Sequence, residues 1–221
     1  MTSGDSTGGE PTQTQVRRLI AAERTELADL LAGLPEQAWD SSTLCEGWRV
    51  REVVSHLTMA YRYSMLRVLG GIARAGGSFN RMADRAARKD AAELTSAQLT
   101  ALLRDNVSHP WKPPGGGYEG ALSHDVIHGL DITTGLGIDR RVPADRLRVV
   151  LGGVTPKHLK YFGTDLRGVE IRATDLDFVL GSGTPVTGLA QDILLAVCGR
   201  KLPPGRLQGE QAQRFIRKDP S

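Results

Sequence analysis

Apolar residues recur at helical spacing along the first half of the chain. Residues 15–34 carry six of them at helical spacing, which predicts a helix with one apolar face. Gly33 and Pro35 predict where this helix ends. A longer apolar stripe runs from Val50 to Leu69 and predicts a second helix. The apolar positions of the first helix are Leu19, Ile20, Leu27, Leu30, Leu31 and Leu34.

The middle of the chain alternates between turn-forming and helical segments. Residues 72–94 are rich in alanine and arginine and show little pattern, whereas Ser96 predicts the cap of a third helix over 96–106. The segment 110–117 (PWKPPGGG) cannot be helical and predicts a connecting loop, long enough to shape the mouth of a pocket. A fourth helix is predicted over 118–136.

The pattern changes near residue 163. A fifth helix is predicted from Pro143 to Phe162, with the proline in its first turn. Residues 169–173 and 176–180 then alternate with period two, which predicts a β-hairpin turning at Thr174-Asp175. A short amphipathic helix is predicted over 188–198.

These elements predict a mainly α fold class, an up-and-down helical bundle followed by a small α+β domain. We place a disordered tail at 1–13, because it is rich in glycine, serine, threonine and proline. The bundle is placed at 14–163 and the α+β domain at 164–221.

Composition narrows the function classes. The 221 residues carry a net charge of only +3, with basic and acidic residues interspersed, so we expect no nucleic-acid partner. The basic stretch 81–89 is interpreted as a solvated helix face. No apolar run approaches a membrane span and no signal peptide is evident, which predicts a cytoplasmic protein without a membrane partner. The distant Cys45 and Cys198 predict no disulfide and fit a reducing compartment.

Three histidines predict a metal site. His124 and His128 are four apart in the fourth predicted helix, so they project from one face as neighbours. His56 lies in the second predicted helix, within 50–63, and could complete a tripod from a facing helix. Three neutral imidazoles suit zinc and leave a fourth position for water or substrate, which is typical of catalytic zinc.

Other interpretations of these residues stay open. A single histidine beside an apolar stripe is usually a packing residue, and an i, i+4 pair can lie on the surface. Asp125 could also reach the metal face, and Asp131 could orient an imidazole instead. The two further histidines, His109 and His158, are predicted to lie on the surface.

The chain also resembles a known family. Residues 44–57 (LCEGWRVREVVSHL) are similar to the metal-binding signature of the actinobacterial mycothiol-dependent maleylpyruvate isomerase family, within the DinB-like superfamily. The resemblance continues through 128–132 (HGLDI) and 135–137 (GLG). Segments 171–175 and 186–200 resemble the sterol-carrier-like C-terminal domain of many members, so that the likeness spans roughly residues 15–210.

The resemblance implies a four-helix bundle that holds a divalent metal, usually zinc, and uses a low-molecular-weight thiol, mycothiol, as cosubstrate. His56, His124 and His128 are the implied metal ligands. The isomerase has a glutamate at the position of His124, whereas three histidines match the thiol-transferase side of the superfamily. The family does not fix the reaction, and zinc is not distinguished from nickel, iron or manganese.

We therefore predict a metal-dependent mycothiol S-transferase, in which the metal activates the thiol for attack on a small electrophile. A maleylpyruvate-type cis-trans isomerase and a non-catalytic metal- or ligand-binding protein are the alternatives. Arg200 and Asn80 are the predicted cofactor-binding residues, although a helix-terminal cation also explains Arg200. Cys45 and Trp48 are interpreted as structural. No catalytic base is assigned, and a homodimer is compatible with the apolar stripes.

Overall fold

A computed structural model describes residues 11–217 of the chain. This part contains nine α-helices and four short strands, in agreement with the predicted mainly α class. The helices are α1 (Gln13–Ala32), α2 (Val50–Arg62), α3 (Met65–Arg74), α4 (Phe79–Glu93), α5 (Ser96–Arg104), α6 (Gly117–Gly135), α7 (Ala144–Gly152), α8 (Pro156–Phe162) and α9 (Ala190–Val197). The strands are β1 (Val169–Ala173), β2 (Val179–Gly181), β3 (Thr184–Gly188) and β4 (Leu207–Gln208).

The bundle is organised around α1, α2 and α6. Helix α1 packs against α5 and α6, and α2 packs against α4, α5 and α6. The predicted tail over 1–13 lies mostly outside the described residues, but its end differs from the prediction. Thr12 caps α1 through a reciprocal pair of hydrogen bonds with Gln15, so Gln13 is already helical.

The long second helix of the prediction is wrong, because α2 ends at Arg62. Tyr63 adopts an extended conformation, and the Ser64 hydroxyl caps α3 by accepting a hydrogen bond from the Arg67 amide (3.3 Å). The apolar stripe continues through the break, so its periodicity could not reveal two helices. The weakly patterned segment 72–94 contains α4, which Ser78 caps.

Two other helix predictions also needed correction. Thr95, rather than Ser96, caps the third predicted helix. The fifth predicted helix is divided into α7 and α8 at Gly153, where Thr155 and His158 form a new capping box. Periodicity extends across short interruptions, whereas hydrogen bonds to cap side chains mark the starts of α1, α3, α4 and α5.

The C-terminal part is a four-stranded sheet in the order β2-β1-β3-β4, covered by α9. The predicted hairpin of β1 and β2 is present and antiparallel, but β2 begins three residues later than expected. The sequence analysis missed β3, which pairs parallel to β1 with Ile171 opposite Val186. A tight turn precedes it, where Gly183 has φ 130° and a Cβ would meet Gly168 at 2.3 Å.

One apolar cluster of the bundle continues into the sheet. Buried residues of α6, such as Leu130, share a cluster with β1 and with α9, all eight of whose residues are buried. The side-chain amide of Gln191 in α9 also makes two hydrogen bonds to the segment before α7. It accepts one from the Val142 amide (3.1 Å) and donates one to the Arg140 carbonyl (2.9 Å). The boundary that we predict at 163/164 therefore lies within a continuous core.

Within residues 11–217, no helix combines the length and the apolarity that crossing a bilayer requires.

Asp192 in α9 is a buried carboxylate with an unusual environment. Its side chain is 1% exposed, and the nearest cation, Arg206, is 3.6 Å away. Neither carboxylate oxygen has a hydrogen-bond partner among the described residues. Burial raises the pKa of Asp192 from 3.8 to about 6, because the charged form loses its hydration.

We expect Asp192→Asn to change how stability depends on pH. A raised folded-state pKa means that the native state binds more protons between pH 4 and 6, so wild-type stability falls relative to the variant as pH rises through this window. The difference in free energy of unfolding should change by about 2–3 kcal/mol between pH 4 and pH 8. Urea denaturation of both proteins with a metal chelator measures it.

The matched control is Asp29→Asn, because Asp29 is 66% exposed and pairs only with the exposed Arg104. Its stability difference from wild type should stay nearly constant with pH. A pH-independent difference for Asp192→Asn would contradict the prediction.

Candidate metal centre

Three histidine side chains converge between α2 and α6. The imidazole centroids of His56, His124 and His128 form a nearly equilateral triangle with sides of 5.0, 5.0 and 4.9 Å. The Nε2 atoms of His56 and His124 are 3.1 Å apart, and the ligand atoms of all three residues lie within 4.8 Å of one another. The structure thus brings together the three residues predicted as ligands.

Two of these imidazoles have the protonation state that metal binding requires. Burial lowers the pKa of His56 well below its usual value, and neighbouring His124 lowers it further. Burial also lowers the pKa of His128, although Asp131 opposes the shift. Both rings are therefore neutral at pH 7 and keep a lone pair for coordination. The side chains of His124 and His128 are 17% and 13% exposed, so a small molecule can approach from solvent.

His128 is held by a buried carboxylate and an arginine. Its Nδ1 donates to Asp131 Oδ2 (3.0 Å), which leaves Nε2 free to face the other histidines. Arg200 lies just after α9 and donates two hydrogen bonds to the same carboxylate, from Nε (2.8 Å) and from Nη2 (2.7 Å). Burial alone would raise the pKa of Asp131, but Arg200 and His128 hold it below its usual value. Asp131 is thus an ionised orienting residue.

His124 has a similar support on another side of the site. Its Nδ1 lies 3.2 Å from Asp125 Oδ1, and the other oxygen of Asp125 accepts from Arg24 Nε (2.6 Å). Arg24 also donates through Nη1 to backbone carbonyls of the 106–109 segment. Asp125 is 2% exposed and both its oxygens are engaged, so it is placed behind His124 rather than beside the triangle as a fourth ligand.

His56 is supported by packing instead. Its Nδ1 is buried and has no hydrogen-bond partner among the described residues. The indole of Trp48 lies 5.1 Å from the His56 ring and 6.4 Å from His128. Trp48 Nε1 donates to Asp84 in α4 (2.8 Å), which also accepts from Arg88 (2.9 Å). The interpretation of Trp48 as purely structural was therefore incomplete, because its ring borders the candidate site.

The loop before α2 is tied directly to α6. The Leu44 amide donates to the Asp131 carbonyl (3.1 Å). Gly135 allows this close approach, because a Cβ there would lie 2.7 Å from the Thr43 Cα. Cys45 follows, with its sulfur within 4.8 Å of ligand atoms of His128 and Asp131. Burial raises the pKa of Cys45 to about 11, so its thiol stays protonated at neutral pH.

The remaining predicted residues are more scattered. Asn80 is exposed at the start of α4, where its side-chain oxygen accepts from the Tyr161 hydroxyl (3.2 Å). His158 is exposed, as predicted. The surface placement of His109 was wrong, because its ring is half-buried 5.1 Å from Tyr61 and its carbonyl accepts from Arg24.

Sequence analysis missed two residues at the site. Trp111, in the proline-rich loop, lies 5.2 Å from the His124 ring. A bulky aromatic residue between prolines, in a loop expected to shape a pocket mouth, was the available signal. Arg24 gave no signal, because its partner Asp125 is 101 positions away and a charge within an amphipathic helix is usually exposed.

Comparison with known proteins agrees with this architecture. Residues 20–109 match the family model described as the mycothiol maleylpyruvate isomerase N-terminal domain. A crystal structure of the mycothiol-dependent maleylpyruvate isomerase superimposes with a TM-score of 0.60 at 14% identity, covering 96% of this chain and 97% of that one. A histidine-to-alanine mutant of that isomerase has a TM-score of 0.59 at the same identity and coverage. No curated protein matches the sequence.

The family model includes His56 but ends before the histidine pair of α6. At 14% identity the structural likeness establishes the fold and leaves the reaction open. The resemblance seen in the sequence is confirmed by these findings: residues 20–109 match the family model of the mycothiol maleylpyruvate isomerase N-terminal domain, and nearly the whole chain shares the fold of that isomerase.

Proposed function

We propose that this protein is a metal-dependent mycothiol S-transferase of the cytoplasm. The observation that carries the proposal is the convergence of three partly accessible imidazoles, two of them fixed by aspartate–arginine pairs. Three nitrogen donors suit zinc and leave an open position, as in catalytic zinc sites. The orienting carboxylates behind His124 and His128 are the supports that metal-binding histidines usually have.

The chain's own residues have separable tasks in this mechanism. His56, His124 and His128 would hold the ion, while Asp131 and Asp125 keep two of the imidazoles in the required tautomer. A divalent cation held there would stabilise a bound thiol as its thiolate at neutral pH. Arg200 and Asn80 remain the proposed contacts for the thiol cosubstrate.

No residue beside the histidines is assigned as a general base. Asp131 and Asp125 are both committed to arginines, and the Cys45 thiol is protonated. The proton of the thiol therefore leaves to solvent through the opening that exposes His124 and His128.

Isomerase activity is the second candidate, because the family domain and the fold are those of a maleylpyruvate isomerase. That reaction adds a thiolate reversibly to a maleyl double bond, permits rotation and then eliminates the thiol. It requires recognition of a dicarboxylate. Arg200 is the nearest cation to His128, but both ends of its fork already bind Asp131.

Titration calorimetry tests the proposal. Mycothiol is titrated into metal-loaded wild type and into the double variant His56→Ala, His128→Ala, with the metal content of both measured. We expect one equivalent of metal and thiol binding in wild type only. The analogue with a hydroxyl group in place of the thiol should bind much more weakly, because the sulfur makes the principal contact.

Two other outcomes are informative. Metal binding without thiol binding would remove the transferase and the isomerase together and favour a non-catalytic binding protein. If the thiol binds, incubation with maleylpyruvate and with an alkylating electrophile separates the two activities. Isomerised maleylpyruvate without a stable thiol adduct would overturn the transferase proposal.

A further inference from the structure

Two indole rings border the histidine triangle. The ring centroid of Trp48 lies 5.1 Å from that of His56 and 6.4 Å from that of His128. Trp111 is close to the remaining corner, His124, at 5.2 Å. Since the corners are about 5 Å apart, the indoles approach the triangle from different sides. Both side chains are half-buried, so part of each ring stays accessible.

Trp48 is held through its indole and Trp111 through its backbone. The hydrogen bond from Trp48 Nε1 to Asp84 orients that ring, and Arg88 secures Asp84 while also donating to the Gly47 carbonyl (3.0 Å). Trp111 lies between Pro110 and Pro113, and its amide donates to His109 Nδ1 (3.2 Å). A rigid aromatic wall binds a flat ligand with little loss of conformational entropy.

The aspartates that border the site are already paired with arginines. Each aspartate in contact with these rings binds an arginine: Asp125 binds Arg24, Asp131 binds Arg200, and Asp84 binds Arg88. An incoming dicarboxylate would have to compete with these aspartates for their arginines. Lys112, next to Trp111, lies over the Tyr118 ring. Among residues 11–217, the aspartates and arginines at the border are thus paired with one another, and the surface left for a ligand is mainly aromatic.

We infer that the electrophilic substrate has a flat, apolar face, aromatic or conjugated, that packs against Trp111, with Trp48 as the second wall. Trp111 is then a specificity-determining residue. That this ligand is an electrophile rests on the proposed function, whereas the inferred binding of a flat ligand depends only on the two indole rings. Stacking of this kind distinguishes a flat ring from a compact dicarboxylate by area and by ring geometry.

Equilibrium dialysis of metal-loaded protein tests the inference with two non-reacting probes, 1,3-dinitrobenzene and maleate. We expect dinitrobenzene to bind more tightly than maleate. Trp111→Ala should weaken dinitrobenzene binding about 10-fold and leave maleate binding and metal content unchanged, because loss of an aromatic pair and its buried area costs about a factor of ten. Trp111→Phe should restore most of the affinity.

Lys112→Ala is the matched control, since it changes the neighbouring exposed side chain. It should leave both probes unaffected. Tighter binding of maleate, equal weakening of both probes in Trp111→Ala, or unchanged dinitrobenzene binding in that variant would each overturn the inference.

Mycothiol titration on the same samples separates this test from the proposed function. If thiol binding is absent but dinitrobenzene binding still depends on Trp111, the flat-ligand site stands and the transferase fails. If thiol binding is metal-dependent but dinitrobenzene binds equally well to wild type and to Trp111→Ala, the transferase proposal stands and the inferred substrate class fails.

Discussion

Replacing His128 by alanine is expected to abolish stoichiometric metal binding, and with it the metal-dependent binding of thiol. The variant leaves two nitrogen donors and removes the ligand that Asp131 and Arg200 orient. Loss of a residue that only supports a ligand costs about 10- to 100-fold in affinity, so loss of the ligand should cost more than about 100-fold. Competition with a chromophoric chelator measures the affinity.

His158→Ala provides the control, because His158 is exposed on α8 and belongs to a helix cap. The metal affinity of this variant should equal that of wild type. Its free energy of unfolding should fall only by the contribution of one helix cap, about 1 kcal/mol. Undiminished metal affinity in His128→Ala would show that the three imidazoles are not the metal site.

The second large effect is expected from Arg200→Met. Asp131 is fully buried and loses both hydrogen bonds from the guanidinium in this variant. Removing one partner of a buried ion pair leaves the other charge buried without compensation, which lowers the free energy of unfolding by about 3–5 kcal/mol. Metal affinity should also fall about 10- to 100-fold, because Asp131 no longer holds His128 firmly. Urea denaturation and chelator competition give the two values.

A double variant separates folding stability from metal support. The double variant Asp131→Leu, Arg200→Met has no uncompensated buried charge. It should therefore recover much of the stability that Arg200→Met loses. Metal affinity should stay low, because His128 Nδ1 has lost its acceptor. The surface pair of Arg104 and Asp29 supplies a baseline, and Arg104→Ala should cost less than about 1 kcal/mol. A similarly small cost for Arg200→Met would contradict the prediction.

Several features were predictable because they depend on local order along the chain. The spacing of His124 and His128 places them on one helix face wherever that helix lies. Alternating residues in 169–173 specified β1, and glycine and proline specified the loop that carries Trp111. The similarity of 44–57 to a family signature then pointed to His56 as the third member of the set.

Other features depended on hydrogen bonds that a periodic pattern does not contain. The break between α2 and α3 follows from capping by Ser64, while the apolar stripe continues across it. Strand β3 contains a proline and a glycine, which weaken its pattern, and its pairing with β1 satisfies its backbone instead. Both errors came from extending a periodicity past the point where backbone hydrogen bonding changes.

By itself, the sequence determined the mainly α class, most of the helices and the pair of His124 and His128, because these follow from residue type and short-range spacing. The family resemblance of 44–57 added His56 as the third candidate ligand. Only the tertiary structure decided what surrounds the ligands. Arg24 meets Asp125 across 101 positions, Arg200 meets Asp131 across 69, and Trp111 reaches His124 from a separate loop. Such contacts form when distant elements pack around a common core, and no local pattern in the chain encodes which charge or ring will lie opposite another.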